Sequence, residues 1–283
     1  MNDGHQSLEP IAWIRTPFRD KFTVPRQSGL VNQAKGIIQF CPDFADADRL
    51  QDFRAHSHYW LIWGLHLHQH TDKSLAVRPP RLGGNQKTNV FTTRSPFRPN
   101  NLGLSAVKLD TIDSAHQQIH VMGVDMVDNT PIYDIKPYLP YADSINSATS
   151  TWANSAPVRC FDVRYRETAR QQLTQYEQQH AVPVMPLVSE LLAHDARPAY
   201  HGKTAGKTAG RSAEKIADKA TPASPRIYYS QIYTLAIAWQ VEGDTLTVLS
   251  ATELSAVELS TAKLSATELA TNQSEIKKPI NPS

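Results

Sequence analysis

Cysteine is nearly absent from this chain. Cys41 and Cys160 are the only two, far apart and in no CxxC pair. That rules out a disulfide framework and a cysteine-based zinc site, and both are read as reduced thiols in or near the core. Long apolar runs are missing too. The most apolar piece, residues 59–67, is far short of the about 18 residues that a spanning helix needs. The first residues, MNDGHQSLEP, lack a basic region followed by an apolar run, so no signal peptide is read and the chain is expected to be cytoplasmic. No GxGxxG follows a strand-like run, which argues against a Rossmann nucleotide site. The last absence is local. Residues 73–109 contain no Asp or Glu but seven basic residues: Lys73, Arg78, Arg81, Lys87, Arg94, Arg98 and Lys108.

The whole chain has a net charge of only +2, so this basic segment is a local concentration. Four prolines and three glycines shape it into a fixed loop system. Its partner should be an anion, with RNA or a phosphate-bearing ligand first. The other numbers are ordinary. A chain of 283 residues, 40% hydrophobic and 20% charged, can form one large globular domain or a domain plus a smaller one.

Short runs rich in β-branched and aromatic residues recur at 11–15, 59–67, 90–93, 104–109, 117–124 and 158–165, with turn formers between them. They predict a mainly β fold, a barrel or a sandwich, and not alternating βαβ units. Helices are expected over 167–180 and 187–194, the second from leucines at 187, 191 and 192. Residues 202–225 carry a repeated GKTA and read as a disordered linker. A final β pair is expected at 227–241 and 245–249, turning at Glu242-Gly243-Asp244. Leucines then recur every five residues from 249 to 269. That period fits neither helix nor strand, so residues 251–283 read as a disordered repetitive tail.

Four constellations are candidates for chemistry. PRQSGL, residues 25–30, is a loop in which Pro25 fixes the backbone before Arg26 and Gly29 permits a sharp turn. His56 and His58 alternate, as do His66, His68 and His70, so each set would share one face of a strand. Their spacing matches no zinc signature, and no metal is assigned. In TRSPFRPNN, residues 93–101, Pro96 and Pro99 hold Arg94 and Arg98 ready for bidentate contacts to carboxylate or phosphate. GVDMVDNTPIYDIKPYLPYAD, residues 123–143, concentrates Asp125, Asp128, Asp134 and Asp143 around Lys136. Acid and base in neighbouring loops suit a zwitterionic ligand; by spacing alone, residues 128–131 read as an ordinary turn.

Together PRQSGL, FRAHSHYW, VRPPRLGGN, TRSPFRPNNLGLS, VDMVDNTPIYDIKPYLPYAD and DARPAY stand in the order seen in the bacterial TrmO (YaeB/TsaA-like) family. The chain resembles that family of S-adenosylmethionine-dependent tRNA N6-methyltransferases over residues 11–200. The resemblance implies a compact antiparallel β-barrel catalytic domain over 1–165. It also implies a small α+β C-terminal domain over 166–250, and a homodimer. The implied reaction moves a methyl group to N6 of threonylcarbamoyl-adenosine (t6A) at position 37 of threonine tRNAs, giving m6t6A. Cofactor contacts implied by motif match are Pro25, Arg26, Gln27, His66, Leu67, Arg94, Leu104, Met122, Gly123, Val124 and Asp125. Arg78, Arg81, Lys87, Arg98, Asn100 and Lys136 are left to face the tRNA. Asp125, Asp128 and Asp134 are the candidate proton acceptors, with Asp128 favoured. A non-catalytic tRNA-binding module and a metal-dependent hydrolase built on the His56–His70 histidines are the competing readings. Two departures stand out: Asn101 where the family has Pro, and Asn129 where it has Gly.

Overall fold

A computed structural model describes residues 7–68, 75–79, 82, 86–194 and 226–259. Arg81, His70, the 195–200 motif, the 202–225 linker and the tail beyond 259 lie outside the described residues.

The chain is mainly β. Strands β1 (Ala12–Arg15), β2 (Lys35–Phe40), β3 (His58–Gly64), β6 (Leu102–Asp113), β7 (Gln118–Met122) and β8 (Thr130–Pro137) pair antiparallel in the order β1-β2-β7-β6-β3-β8. β8 returns to β1, so the sheet closes into a barrel. Closure leaves no unpaired strand edge. Two-residue strands β4 (Ala76–Val77) and β5 (Thr88–Asn89) pair separately within the basic segment. The closed sheet is filled by alternate strand positions. Ile14, Ile38, Leu61, Val107, Ile119, Val121 and Ile132 are all buried.

A second, four-stranded sheet has the order β10-β11-β12-β9, from Ile227–Ile232, Leu235–Glu242, Thr245–Glu253 and Asp162–Tyr165. β9 runs parallel to β12. In sequence a one-turn helix, α1 (Pro140–Asp143), separates the two sheets, and the helices α2 (Glu167–His180) and α3 (Met185–Ala193) lie between β9 and β10 of the second. Leu173, Leu187 and Leu192 are fully buried, and they belong to the same apolar cluster as Trp239 and the sheet interior.

Several expectations need correction. Residues 90–93 form a 3-10 turn, Val90–Thr92, and not a strand, because the Asn89 side chain accepts from the Phe91 amide and caps it. The expected single strand 227–241 is two strands, broken at Tyr233 with φ 53°. β12 continues to Glu253, and its Ala251 amide donates to Gln172 of α2, so the first leucine repeat is folded structure. Strands β2 and β8 were not expected. β3 ends at Gly64, so His66 and His68 lie in the turn after it and do not share a strand face.

Both departures from the family pattern sit in left-handed backbone, Asn101 at φ 50° and Asn129 at φ 57°. Asn tolerates that region better than any other residue with a side chain. Proline, locked near −65°, cannot adopt the conformation that Asn101 has.

Candidate functional site

Three loops and one strand meet at one end of the closed sheet. The 25–30 loop is fastened to the turn after β7 through the Gly29 amide, which donates to Gly123 O at 2.9 Å. Both glycines have positive φ, 75° and 76°. A Cβ on Gly123 would lie 3.2 Å from the Gly29 backbone, so the two loops touch main chain to main chain. Gly123 and Val124 amides both donate to Ala34 O, which anchors the turn to β2.

Across these loops, Arg94 Nη1 donates to Gln27 Oε1 at 2.5 Å. Gln27 Nε2 in turn donates to Arg26 O. Behind them stands Asp125. Its Oδ1 accepts from the buried Ser105 hydroxyl of β6 at 2.6 Å. Burial pushes the Asp125 carboxyl up to about 6, against the opposing pull of Ser105, the Ser28 amide and the Arg94 charge. A carboxyl held there changes protonation near neutral pH, as an acid–base group requires. Ser105 also accepts from Trp63 Nε1 at 3.0 Å.

The other two aspartates have different surroundings. Asp128 Oδ1 accepts from the Thr16 amide at 3.0 Å, and the Asp128 amide donates to Phe18 O, so this residue clamps the turn after β1. Asp134 pairs with Lys136 Nζ at 2.9 Å on the exposed part of β8. Neither is tied to Arg94 or Asp125 by a hydrogen bond or ion pair found in the structure.

The implied cofactor residues therefore fall into two sets. Gln27, Arg94, Gly123 and Asp125 are brought together, with Pro25 buried beneath and Arg26 exposed beside them. Met122 and Val124 flank Gly123 on the same turn. Leu104 is 57% exposed and points away from the buried side of β6 that carries Ser105. His66 and Leu67 are exposed in the turn after β3. His66 lies close enough to Asp128 to feel its charge, although partial desolvation of its ring outweighs that charge and lowers its pKa.

Of the implied tRNA-facing residues, Arg78, Lys87 and Asn100 are exposed. Lys136 is engaged with Asp134. Arg98 is half-buried, and its guanidinium donates to Thr93 O at 2.8 Å and Val90 O at 3.3 Å, which ties the loop to itself. The histidines are dispersed: His56 packs edge-on to Tyr59, His58 against Tyr138 and His68 against Phe97. Among the described residues no three His, Cys, Asp or Glu side chains converge as a metal site would need.

Ser105 and Trp63 were missed from sequence. The signal was a lone hydroxyl at an inward position of β6, two residues before Val107, where an apolar side chain is expected.

A closed antiparallel sheet with a guanidinium and a buried carboxyl at its mouth defines a class apart from the Rossmann binders. The family model of the tRNA-methyltransferase O N-terminal domain matches residues 13–144, and that of the TrmO C-terminal domain matches 159–254. The tRNA (adenine(37)-N6)-methyltransferase of Escherichia coli is 40% identical over 197 residues, 68% of this chain and 83% of that protein. A Pseudomonas aeruginosa protein that carries the name S-adenosylmethionine-dependent methyltransferase RcsF is 40% identical over 194 residues, 69% of this chain and 83% of its own length. The crystal structure of TrmO from Pseudomonas aeruginosa superposes with TM-score 0.68 at 29% identity, covering 88% of this chain and 97% of that one. The chain belongs to the tRNA-methyltransferase O family and is a tRNA methyltransferase.

Proposed function

We propose that this protein moves the methyl group of S-adenosylmethionine to N6 of threonylcarbamoyl-adenosine at position 37 of threonine tRNAs, giving m6t6A. The observation that carries the reading is the meeting of Arg94 and Asp125 at one end of the closed sheet. The relative in Escherichia coli, named for adenine-37 N6 methylation, supports the base and the position. The threonylcarbamoyl group and the threonine isoacceptors rest on the family resemblance.

The donor set suits a zwitterionic methyl donor. Arg94 is exposed and offers a fork that fits a carboxylate, and Gln27 holds that fork in place. The touching backbones of Gly29 and Gly123 form the adjoining wall, with Met122 and Val124 beside it. When bound, S-adenosylmethionine supplies an electrophilic methyl carbon on a sulfonium. The chain's own part is alignment, an effect worth about 7–11 kcal/mol in well-oriented systems. Its other part is to take the proton that the N6 nitrogen loses. Asp125 is placed for that in preference to Asp128, whose Oδ1 is committed to Thr16, and to Asp134, which is paired with Lys136. Arg78 and Lys87 are left to meet RNA phosphates. Position 37 lies in a single-stranded loop, so presenting the base costs little unpairing. The same reading takes the closed sheet as the catalytic unit and the four-stranded sheet with α2 and α3 as the C-terminal unit of a cytoplasmic homodimer; the boundary expected at residue 165 moves to before β9, because β9 pairs with β12.

Label from methyl-labelled cofactor should enter bacterial threonine tRNA only where threonylcarbamoyl is already present. Equal labelling of unmodified tRNA would remove the stated substrate. Arg94→Ala should weaken cofactor binding about 10- to 100-fold in an equilibrium titration, the loss expected for one charge-assisted pair. Unchanged binding would move the carboxylate contact elsewhere.

A further inference from the structure

Ser105 is 1% exposed, on the inward side of β6. A buried hydroxyl has one proton to give and two lone pairs to receive with. Its partners here leave no choice of direction. The Trp63 indole N–H can only donate, so Ser105 Oγ accepts from it at 3.0 Å. The hydroxyl proton then goes to Asp125 Oδ1 at 2.6 Å.

Trp63 is itself fixed. Trp63 and Gly103 are register partners on β3 and β6, and a Cβ on Gly103 would fall 2.2 Å from Trp63 Cε2. The indole thus lies against bare backbone, in space that any other residue at 103 would fill. Order passes from Gly103 to Trp63, to Ser105, to Asp125.

The groups that face Asp125 come from three elements: Ser105 of β6, the Ser28 amide of the 25–30 loop, and Arg94 of the 93–101 loop. Arg94 is the charged one among them. A carboxylate has about four acceptor sites, so one hydroxyl and two amides, those of Ser28 and of Asp125 itself, leave it able to accept a proton.

We propose that Ser105 and Trp63 are positioning residues, which hold the Asp125 carboxylate aimed and ionised to receive the proton of the reacting nitrogen. The inference rests on the methyl-transfer reading above. In the step served, the N–CH3 bond forms, the S–CH3 bond breaks with its electron pair returning to sulfur, and the N–H proton passes to Asp125. A purely structural pair would serve packing alone and leave the acidity of Asp125 unchanged.

The test uses the full chain with labelled cofactor and threonylcarbamoylated tRNA, at pH 5 to 9. Ser105→Ala removes a hydrogen bond to the ionised form, so the acid limb of kcat/KM should move up by about one pH unit. Activity at pH 6, where the parent carboxyl is half ionised, should fall about fivefold and recover at high pH. Trp63→Phe keeps the ring but frees the hydroxyl, and should give a smaller shift in the same direction. A carbon-13 titration of the Asp125 carboxyl in the cofactor-free protein reads the same quantity without turnover, and should show the same rise in Ser105→Ala. An unmoved acid limb and an unmoved carboxyl titration in both variants would overturn the proposal. Uniform loss at every pH with an unmoved titration would also overturn it, as packing alone. If Ser105→Ala fails to fold, the Trp63→Phe titration decides. Asp125→Asn separates this idea from the reading beneath it. An active Asp125→Asn would defeat Asp125 as proton acceptor, whereas an inactive one beside unshifted Ser105→Ala would defeat the positioning role alone.

Discussion

At the scale of the residue, Asp125 sets activity against stability. Its folded-state pKa of about 6 exceeds the ordinary 3.8, with burial as the largest cause. A carboxyl raised in this way is most favourable to the fold while protonated. Between about 3.8 and about 6 the folded chain binds more protons than the unfolded one, so this group's contribution falls as pH rises through that window and stays low above it. The gap corresponds to about 3 kcal/mol. Asp125→Asn carries no charge to bury and can still accept from Ser105. At pH 7.5 it should melt several degrees above the parent, by roughly 2–4 °C per kcal/mol for a chain of this size. Its methyl transfer should drop by about 100-fold or more. A thermal melt and a label-transfer assay on the same preparation check both, and a lower melting temperature with intact activity would refute the assignment. In the parent, kcat/KM should decline as pH falls below about 6, where Asp125 gains its proton.

At the scale of the element, what the sequence revealed depended on whether the signal was local. Residues 167–180 could be read because a run without Gly or Pro declares itself, and α2 has those bounds. β3 showed in the alternation of Tyr59 and Leu61, both buried. β8 did not, because Pro131 and Pro137 bracket Asp134 and Lys136, which looks like a polar turn. Its strand character comes from pairing with β1 and β3, which are distant in sequence. The candidate site divides the same way. Arg94, Gln27 and Asp125 sit in motifs with distinctive residues, but Trp63 and Ser105 matter only through a register that no single segment encodes. The basic loop shows the opposite error, since Arg98 looked like a free cation and is bound to Val90 and Thr93 carbonyls. Lys87→Ala should therefore lower the salt dependence of tRNA binding by about one phosphate contact. Arg98→Ala should leave that slope unchanged and weaken binding through a loosened loop. Binding isotherms at several salt concentrations separate the two, and a slope lost with Arg98 would return that residue to the RNA face.

At the scale of the whole molecule, the closed sheet and the C-terminal sheet are one packed body. One apolar cluster runs from Ile14 and Phe18 to Val188, Ile232 and Trp239. Main-chain contacts reinforce it: Phe18 bridges Ile232, and the Tyr233 amide donates to Pro17 O at 2.7 Å. Glu190 on α3 adds the polar tie. Its residue exposure is 9%, its Oε2 accepts from the Gln33 amide at 2.8 Å, and its Oε1 meets Arg159 at 3.3 Å. The Gln33 amide belongs to the stretch between the 25–30 loop and β2, the part of the chain that anchors the Gly123 turn through Ala34. The C-terminal unit thus braces the site from behind. Glu190→Ala removes the acceptor of the Gln33 amide, and because Gln33 is exposed, water replaces part of that bond, so the cost is about 0.5–1.5 kcal/mol. Glu190→Gln keeps an oxygen for Gln33 and should cost less, since the Arg159 side of the pair is 64% exposed and its 3.3 Å contact is weakened by solvent. Both variants should melt in one transition, because the shared cluster couples the two sheets. The order parent, Glu190→Gln, Glu190→Ala in a thermal melt is the expected outcome. Two separate transitions would show instead that the sheets unfold independently and that the brace does not reach the site.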